Sequence, residues 1–242
     1  MAVAVAKALK TDGKPAYNVI GVELPTQKGQ RAITAINAGR FPFKSQDPSL
    51  DAGAARARHI ERNLIATDNP AAFTLAKTVL VDVNLDLDAT AGIPAVDFTV
   101  FEEALTTIGE RIQPDTLVVI ETTVPPGTCE RVAAPCLARA LAKRGFGPNA
   151  THLAHSFERV MPGKNYLNSI TNFWRVYAGM DETAADACAA FYRTVLNTED
   201  YPLTRLPSPT SSELAKILEN SYRAINIALI EEWSELATVA DV

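Results

Sequence analysis

The sequence has little cysteine, histidine or tryptophan, and it lacks any long uninterrupted apolar run. Its three cysteines are an odd number without metal-ligand spacing, so neither a disulfide framework nor a metal site is expected. No apolar stretch approaches the roughly 20 residues that cross a bilayer. Residues 1–10 lack the basic start, long apolar core and cleavage region of a secretory signal. These absences predict a reduced, cytoplasmic protein without a membrane segment.

An excess of either charge is also missing. The 242 residues include 23 basic and 28 acidic side chains, scattered along the chain, with a formal net charge of -5. This pattern lacks the basic patch typical of proteins that bind nucleic acid or anionic membranes. With 47% hydrophobic and 21% charged residues, the chain is long enough for one large globular domain and the start of another.

Short apolar, β-rich runs alternate along the chain with longer segments of helical period. We predict strands at 17–23, 63–67, 78–83, 116–121, 151–155, 174–179 and 200–206, and helices at 28–37, 69–76, 97–112, 129–143 and 182–196. Strands that are apolar on both faces and separated by helices are typical of a parallel sheet covered on both sides. The pattern therefore predicts an α/β fold with a doubly wound parallel sheet, of the Rossmann-like kind.

The two ends of the chain depart from a simple domain of this kind. The first residues read as a helix without a preceding strand or glycine-rich turn, which predicts a gap in the middle of the sheet. Near the other end, Leu206–Pro209 reads as a linker, and Thr210–Glu213 reads as a capping box that starts a long helix. We therefore predict a nucleotide-binding domain over 1–206 and the start of a helical domain over 207–242.

Polar residues follow three of the predicted strands, where α/β sheets bind their ligands. Glu23 ends the run VIGVE, and Thr122 and Thr123 stand in the segment ETTVPPGT. Glu158 and Arg159 lie in the loop HSFERVMPGK. An acid after a strand can bind a ribose or simply be solvated, and the second segment is equally compatible with an ordinary strand–turn–helix connection.

The long helix and the first cysteine allow two interpretations each. Lys216, Asn220 and Arg223 share one helical face, which is either solvated surface or the polar wall of a cleft. Cys129 follows Gly127 near a predicted helix N-terminus, a setting that lowers a thiol pKa, although a small cysteine without a basic partner is more often structural.

Taken together, four segments resemble the UDP-glucose/GDP-mannose dehydrogenases. That family has an acid-ended second strand, a strand ending S/T-T-V-x-P-G-T, a loop P-E-R-V-x-P-G-K and a helix E-x-x-K-L-x-E-N-x-x-R-x-x-N-I-A. Here the segments read VIGVE, ETTVPPGT, FERVMPGK and ELAKILENSYRAINIA, in the same order and spacing. The last two are long and specific, and the resemblance covers nearly the whole chain.

The resemblance implies NAD-dependent oxidation of a nucleotide sugar at C6, from alcohol to uronic acid, through a thioester on a catalytic cysteine. It implies cofactor contacts at Glu23, Thr123 and Val83. Glu158 would be the general base and Lys216 would stabilise the oxyanion. It further implies that Asn220 fixes substrate or water, that Arg159 contacts substrate, and that the long helix forms a homodimer. The sequence of the FERVMPGK loop favours the UDP-N-acetylhexosamine and GDP-mannose branches of the family.

The sequence also departs from the family pattern. Phe157 stands where proline is usual, and Asn84–Leu87 replaces the usual N-T-P-T. The glycine-rich turn and the G-G-x-C-type segment of the catalytic cysteine are absent from these 242 residues. We therefore expect the chain by itself to bind NAD poorly and not to complete the oxidation. The alternative is a non-catalytic fragment that binds nucleotide sugars or serves assembly; a dehydrogenase of small hydroxy acids ranks last because it has no place for the FERVMPGK loop.

Overall fold

A computed structural model of the chain describes residues 1–88, 95–159 and 163–241. Within these residues the α-helices are Ala2–Lys7 (α1), Gln27–Asn37 (α2), Pro48–Ala55 (α3), Thr99–Gly109 (α4), Ala134–Ala142 (α5), Tyr166–Thr171 (α6), Glu182–Val195 (α7) and Pro209–Ala240 (α8). The strands are Val19–Val22 (β1), Leu64–Thr67 (β2), Thr78–Val81 (β3), Asp86–Asp88 (β4), Ala95–Asp97 (β5), Leu117–Ile120 (β6), His152–His155 (β7), Val176–Gly179 (β8) and Thr204–Arg205 (β9). The α/β alternation predicted from the sequence is confirmed.

The strands pair mainly in parallel. β1 pairs with β2, and a five-stranded sheet has the order β3-β6-β7-β8-β9. Within that sheet β3, β6 and β7 run in parallel, β8 is antiparallel to β7, and β9 is parallel to β8. A separate antiparallel pair is formed by β4 and β5. This is the parallel-dominated sheet of a Rossmann-like fold.

Strand β6 shows why the sheet is covered on both faces. All four of its residues are buried. Leu117 and Val119 pack into the apolar cluster that contains α7, whereas Val118 and Ile120 pack into the cluster that contains α4 and α5. Because successive side chains of a strand point to opposite faces, an uninterrupted apolar run such as LVVI needs two cores.

The strands form separate hydrogen-bonded ladders, as expected for a sheet with a gap. Within the described residues, the β1–β2 ladder shares no ladder hydrogen bonds with the five-stranded sheet. One apolar cluster nevertheless joins the two groups, because it contains Val3 of α1, Leu64 of β2 and Val119 of β6. Side-chain packing therefore holds together what the backbone ladder does not.

Several predicted boundaries need correction. The helix predicted at 97–112 is shorter, because residues 95–97 form β5 and the Asp97 carboxylate accepts from the Thr99 amide at 2.9 Å. The segment predicted at 69–76 is a 3₁₀ helix, Pro70–Leu75, and the last predicted strand is reduced to the two residues of β9. The helix predicted at 129–143 begins with a π-helical turn, Cys129–Ala133, that continues directly into α5.

Helix α3 was not predicted, although its N-terminal signal is visible in the sequence. Asp47 precedes Pro48, and its carboxylate accepts from the Ser49 amide at 2.9 Å. The same buried carboxylate accepts from the Leu167 amide at 2.8 Å, at the start of α6. These hydrogen bonds, with that to Ser49 the largest cause, hold the pKa of Asp47 below its usual value against the opposing effect of burial. A single acid followed by proline thus starts one helix and anchors another.

The predicted capping box at Thr210–Glu213 is wrong. Helix α8 is capped by Ser208, whose hydroxyl accepts from the Ser211 amide at 3.2 Å. Glu213 is fully buried and turns away from the start of its own helix, because it serves backbone donors of another segment, as described below. The division of the chain at 206/207 stays a prediction.

Helix α8 contains 32 residues, and most of it lies outside the packed cores. Large apolar side chains along it are exposed: Leu214, Leu218, Tyr222, Ile225, Ile227, Leu229, Ile230, Trp233, Leu236 and Val239. These side chains are interspersed with charged ones. Accordingly, none of the helices in the described residues offers the continuous apolar length that a bilayer span requires.

Candidate active site

A pocket of about 440 Å³ lies where β3, β6 and β7 end. In a parallel sheet these carboxyl ends share one edge, so the segments that follow them meet there. The lining residues are Asp82, Asn84, Leu85, Glu121, Thr122, Thr123, Glu158 and Lys216. Three carboxyl groups and one amine therefore converge on a single concave site.

Glu158 supplies the half-buried carboxyl group of this pocket. Burial raises its pKa above the usual value, and the nearby Glu121 and Asp82 carboxylates raise it further, whereas the amino terminus of Met1 and Arg175 oppose the increase. A general base works best when its pKa lies near the working pH. The environment of Glu158 thus shifts it in the direction that proton abstraction requires.

Lys216 enters the pocket from α8. Its Nζ donates to the backbone carbonyl of Glu158 at 3.1 Å and lies 5.1 Å from the centre of the Phe157 ring. Burial lowers the pKa of this amine; Arg223 and Arg159 add to the decrease, and Glu219 and Glu158 oppose it. A half-buried ammonium beside a carboxyl-bearing loop can stabilise negative charge on a bound oxygen.

Phe157, which stands where the family usually has proline, packs against the cations of this region. Its ring is buried, and the Arg159 guanidinium lies 5.9 Å from the ring centre, so that the ring contacts both cations of this region. Arg159 in turn forms an ion pair with Glu219 of α8 at 2.7 Å. Aromatic rings attract cations through their faces. The aromatic substitution therefore joins the loop to α8.

The threonines after β6 have different environments. Thr122 is buried, and its hydroxyl accepts from the Val83 amide at 2.9 Å and donates to the Val81 carbonyl at 3.3 Å. These bonds fasten the segment after β3 to that after β6. Thr123 is exposed and lines the pocket, so its side chain is accessible to a ligand.

The structure brings together only part of the predicted set. Thr123, Glu158 and Lys216 line the pocket. Val83 and Arg159 lie beside it, and Asn220 is half-buried one turn after Lys216 on α8. Glu23 is not among the residues that line the pocket: it follows β1, which belongs to the separate β1–β2 ladder, and it is exposed. Its amide donates to the Thr67 carbonyl at 3.0 Å. The roles assigned to these residues stay predictions. Residues 160–162 of the FERVMPGK loop lie outside the described residues.

Sequence reasoning missed the buried ion pair beneath the pocket. The Glu121 Oε1 atom accepts from Arg175 at 2.6 Å and from the Tyr192 hydroxyl at 2.7 Å, and all three side chains are buried. Glu121 ends an apolar strand, as Glu23 does, and this was the signal that could have found it. Arg175 and Tyr192 carry no comparable pattern, because their partner is distant in the sequence.

Asp82 was also missed. Removal of the carboxyl group from water by the surrounding protein raises the pKa of Asp82 most, and the Glu121 carboxylate adds to the increase, against the opposing amino terminus of Met1. Both effects favour the protonated form of Asp82. Within the described ranges, however, no group of three or more His, Cys, Asp or Glu side chains is arranged to hold a metal ion.

The three cysteines do not fit a nucleophilic role. Cys129, Cys136 and Cys188 are all buried and free. Burial raises the pKa of each thiol, that of Cys188 to about 12, and Glu213 contributes to the increase at Cys129. The lowered pKa that a helix N-terminus can give is therefore overridden at Cys129, and its structural interpretation holds.

Known protein families and individual proteins resemble this chain in sequence. Residues 11–196 match the model described as "UDP-glucose/GDP-mannose dehydrogenase family, NAD binding domain". UDP-N-acetyl-D-mannosamine dehydrogenase of Pyrococcus horikoshii is 35% identical over 141 residues, which cover 58% of this chain and 32% of that protein. The chain thus spans about a third of that relative's length.

Solved structures give the same result at the level of the fold. An NDP-N-acetyl-D-galactosaminuronic acid dehydrogenase from Methanosarcina mazei aligns with a TM-score of 0.80 and 25% identity, covering 96% of this chain and 46% of that one. GDP-mannose dehydrogenase from Pseudomonas aeruginosa aligns with a TM-score of 0.79 at 20% identity, covering 96% and 48%, which shows the shared fold. With its Rossmann-like sheet, its polar pocket at the strand ends and a family match over residues 11–196, the chain belongs to the UDP-glucose/GDP-mannose dehydrogenase family.

Proposed function

We propose that the chain supplies cofactor and substrate contacts for the NAD-dependent oxidation of a nucleotide sugar at C6 to the uronic acid, a precursor for polysaccharide synthesis. The observation that carries the proposal is the meeting of Glu158 and Lys216 at the carboxyl ends of β6 and β7, with the Lys216 amine 3.1 Å from the Glu158 carbonyl. Oxidising an alcohol requires a base for its proton and positive charge beside the oxygen that remains.

In this proposal each pocket residue has a physical task. Glu158, with its raised pKa, accepts the proton of a hydroxyl group or water held in the pocket. Lys216 donates to the oxygen from which that proton leaves and stabilises its negative charge. Thr123 and Asn220 orient the reacting group by hydrogen bonds, and Arg159, held against Phe157 and Glu219, extends the polar wall towards the nucleotide sugar.

The residues present fit NAD at the adenosine end. Glu23 is exposed at the end of β1, where a carboxylate can accept hydrogen bonds from both ribose hydroxyls and repels the additional phosphate of NADP. Val83 follows β3, and Thr123 follows β6 and lines the pocket, so both are candidates for further cofactor contacts. NAD held there would supply the acceptor for the hydride that leaves C6.

For the substrate we propose a UDP-N-acetylhexosamine. Relatives of this chain include UDP-N-acetyl-D-mannosamine dehydrogenases and a UDP-N-acetyl-D-glucosamine 6-dehydrogenase from Salmonella typhi, 30% identical over 136 residues. Calorimetric titration with UDP-N-acetylmannosamine, UDP-N-acetylglucosamine, UDP-glucose and GDP-mannose tests this. We expect the two acetylated sugars to bind more tightly, and equal affinity for all four would contradict the assignment.

The decisive experiment compares Lys216→Ala with Lys143→Ala, a matched removal of an exposed lysine. Loss of a charged hydrogen bond to the sugar costs about 1.5–3 kcal/mol, so Lys216→Ala should weaken sugar binding by roughly tenfold or more, and Lys143→Ala should not. NADH formation is followed by absorbance in parallel. If no nucleotide sugar binds the unmodified chain, the proposed function is wrong.

The alternative function is nucleotide-sugar binding without turnover. In a protein of the relatives' full length that contains this chain, sugar binding without NADH formation would support this alternative. NADH formation that is lost after Glu158→Gln would support the first function.

We also propose that α8 mediates a homodimer. Ile225, Leu229 and Trp233 are among the apolar side chains that this helix exposes over its second half. Burial of such a surface against a second copy removes it from water. Light scattering of the purified chain should give at least the mass of a dimer, and Trp233→Glu should lower it; a monodisperse monomer would contradict the proposal.

A further inference from the structure

The Glu213 carboxylate occupies a site that more often holds an anionic ligand. Its residue is fully buried, its Oε1 accepts from the Cys129 amide at 2.8 Å, and its Oε2 accepts from the Gly127 amide. Both donors lie at the start of the helical segment that runs from Cys129 through α5. A carboxylate of α8 thus satisfies backbone donors that the segment itself leaves free.

The backbone at this point is shaped for an anion. Gly127 has a φ of +87°, a value that glycine adopts without strain and that turns its amide towards the same oxygen-binding concavity as that of Cys129. The N-terminus of a helix also carries partial positive charge. Such sites commonly bind phosphate or carboxylate ligands. Here the ligand is a side chain of the same polypeptide, held 84 residues away in sequence.

Glu213 lies three residues before Lys216 on α8, so the two side chains emerge on the same side of the helix, one turn apart. Fixing both carboxylate oxygens of Glu213 limits the rotation and sliding of this first part of α8. A second buried contact acts next to it, since the Ser212 hydroxyl lies 2.8 Å from Nδ1 of His155. By contrast, Thr210 contacts Glu130 at an exposed site, at 3.0 Å.

We infer that Glu213 is a positioning residue: as an internal anion bound to the amides of Gly127 and Cys129, it sets the place of Lys216 beside Glu158. The catalytic consequence rests on the proposed function, but the positioning does not. The inference can therefore be tested on the chain alone, without cofactor or sugar, and its failure is separable from that of the proposed function.

The experiment removes the internal anion and offers a free one. Glu213→Ala vacates the concavity, and formate is then added to the variant. Amide resonances of Gly127 and Cys129 report anion binding, and the side-chain ¹³Cε resonance of Lys216, followed over pH, reports the position of the amine. We expect the Lys216 signature of the unmodified chain to be lost in Glu213→Ala and regained with formate, together with shifts of both amides.

Two further variants keep the test decisive. Thr210→Val removes the exposed contact between the same two segments and should leave the Lys216 signature unchanged. Glu213→Gln keeps the shape but turns the NH2 group of its side-chain amide towards one backbone N–H donor, so the signature should change and formate should not restore it. If Glu213→Ala does not fold, Glu213→Gln alone decides. An unchanged Lys216 resonance in folded Glu213→Ala or Glu213→Gln would overturn the inference. Formate that shifts the two amides of Glu213→Ala without restoring the Lys216 signature would overturn it as well.

Discussion

The end of β1 and the end of β6 carry the same residue in opposite environments. Glu23 follows VIGV and is exposed, whereas Glu121 follows LVVI and is buried with Arg175 and Tyr192. The β1 end belongs to a two-stranded ladder, and the β6 end lies in the interior of the five-stranded sheet. A strand-terminal carboxylate is thus available to a ligand in one place and committed to the protein in the other.

The difference shows that burial decides whether a carboxylate at a strand end needs a cation as its partner. A buried carboxylate must be paired, because removing it from water costs more free energy than an isolated contact returns. Glu121 meets this condition through Arg175, and the pairing keeps one negative charge next to the pocket neutralised. Glu23 needs no buried partner, because it is exposed to water.

The largest effect should come from breaking the buried pair. Arg175→Met leaves the Glu121 carboxylate buried without its cation, and such a loss typically destabilises a protein by about 3–5 kcal/mol. Urea unfolding followed by circular dichroism measures this change. The double variant Arg175→Met/Glu121→Gln, which removes both charges, should recover part of the stability. A single variant within about 0.5 kcal/mol of the unmodified chain would show that the pair is not what holds this end of β6.

His155, at the end of β7, is predicted to make the stability of the fold depend on pH. His155 is buried there, and burial lowers its pKa from 6.5 to about 4, against a smaller opposing effect of the Thr122 backbone. Its folded-state pKa is below its unfolded value, so the unfolded state binds a proton first as the pH falls. Stability from this group is therefore complete above pH 6.5 and declines towards pH 4, by about 3 kcal/mol in total.

A pair of histidine variants isolates this effect. His155→Gln should lose less stability than the unmodified chain between pH 7 and pH 4.5, measured as the free energy of unfolding in urea. His59→Gln removes an exposed histidine and should follow the unmodified chain. Identical acid dependence for His155→Gln and the unmodified chain would contradict the prediction.

A smaller effect is expected from Tyr192→Phe. The hydroxyl donates to Glu121 at 2.7 Å, and hydrogen bonds to charged groups contribute about 1.5–3 kcal/mol. Arg175 still pairs with Glu121 in this variant, so the loss should lie near the lower end of that range. Thermal unfolding compared with Tyr201→Phe, a variant of a half-buried tyrosine elsewhere, provides the measurement and its control. A loss as large as that of Arg175→Met would mean that the hydroxyl stabilises the buried Glu121 carboxylate as much as the cation does.

These contacts mark the limit of what the sequence could predict. The strands were found because an apolar run such as 117–120 has to be buried on both faces, and the motif residues Thr123, Glu158 and Lys216 did converge on one pocket. Local patterns carry this information. The ion pair of Glu121 with Arg175 joins residues 54 positions apart, and no local spacing announces it.

Glu213 shows how a correct local rule can lead to a wrong partner. The segment Thr210–Glu213 satisfies the capping-box pattern, but Ser208 caps α8 and the carboxylate turns to the amides of Gly127 and Cys129. Like the first amides of α8, these two amides have no partner within their own helical segment, and they are buried. A hydrogen bond to them therefore stabilises the fold more than an exposed helix cap does. Burial decides whether the Glu213 carboxylate binds local or distant backbone donors, and burial cannot be read from the local sequence.

The smallest change in stability should accompany a clear change in binding. Glu23→Gln alters an exposed side chain, so the free energy of unfolding should stay within about 0.5 kcal/mol of the unmodified chain. Its negative charge is lost, and with it the repulsion of the additional phosphate of NADP. We expect the ratio of NADH to NADPH affinity, measured by fluorescence titration, to fall towards one. Glu61→Gln, at an acid that already pairs with Arg56 at 2.8 Å, should leave the ratio unchanged. If Glu23→Gln leaves the ratio unchanged as well, the ends of β1 and β6 differ in burial alone, and Glu23 is simply a solvated carboxylate.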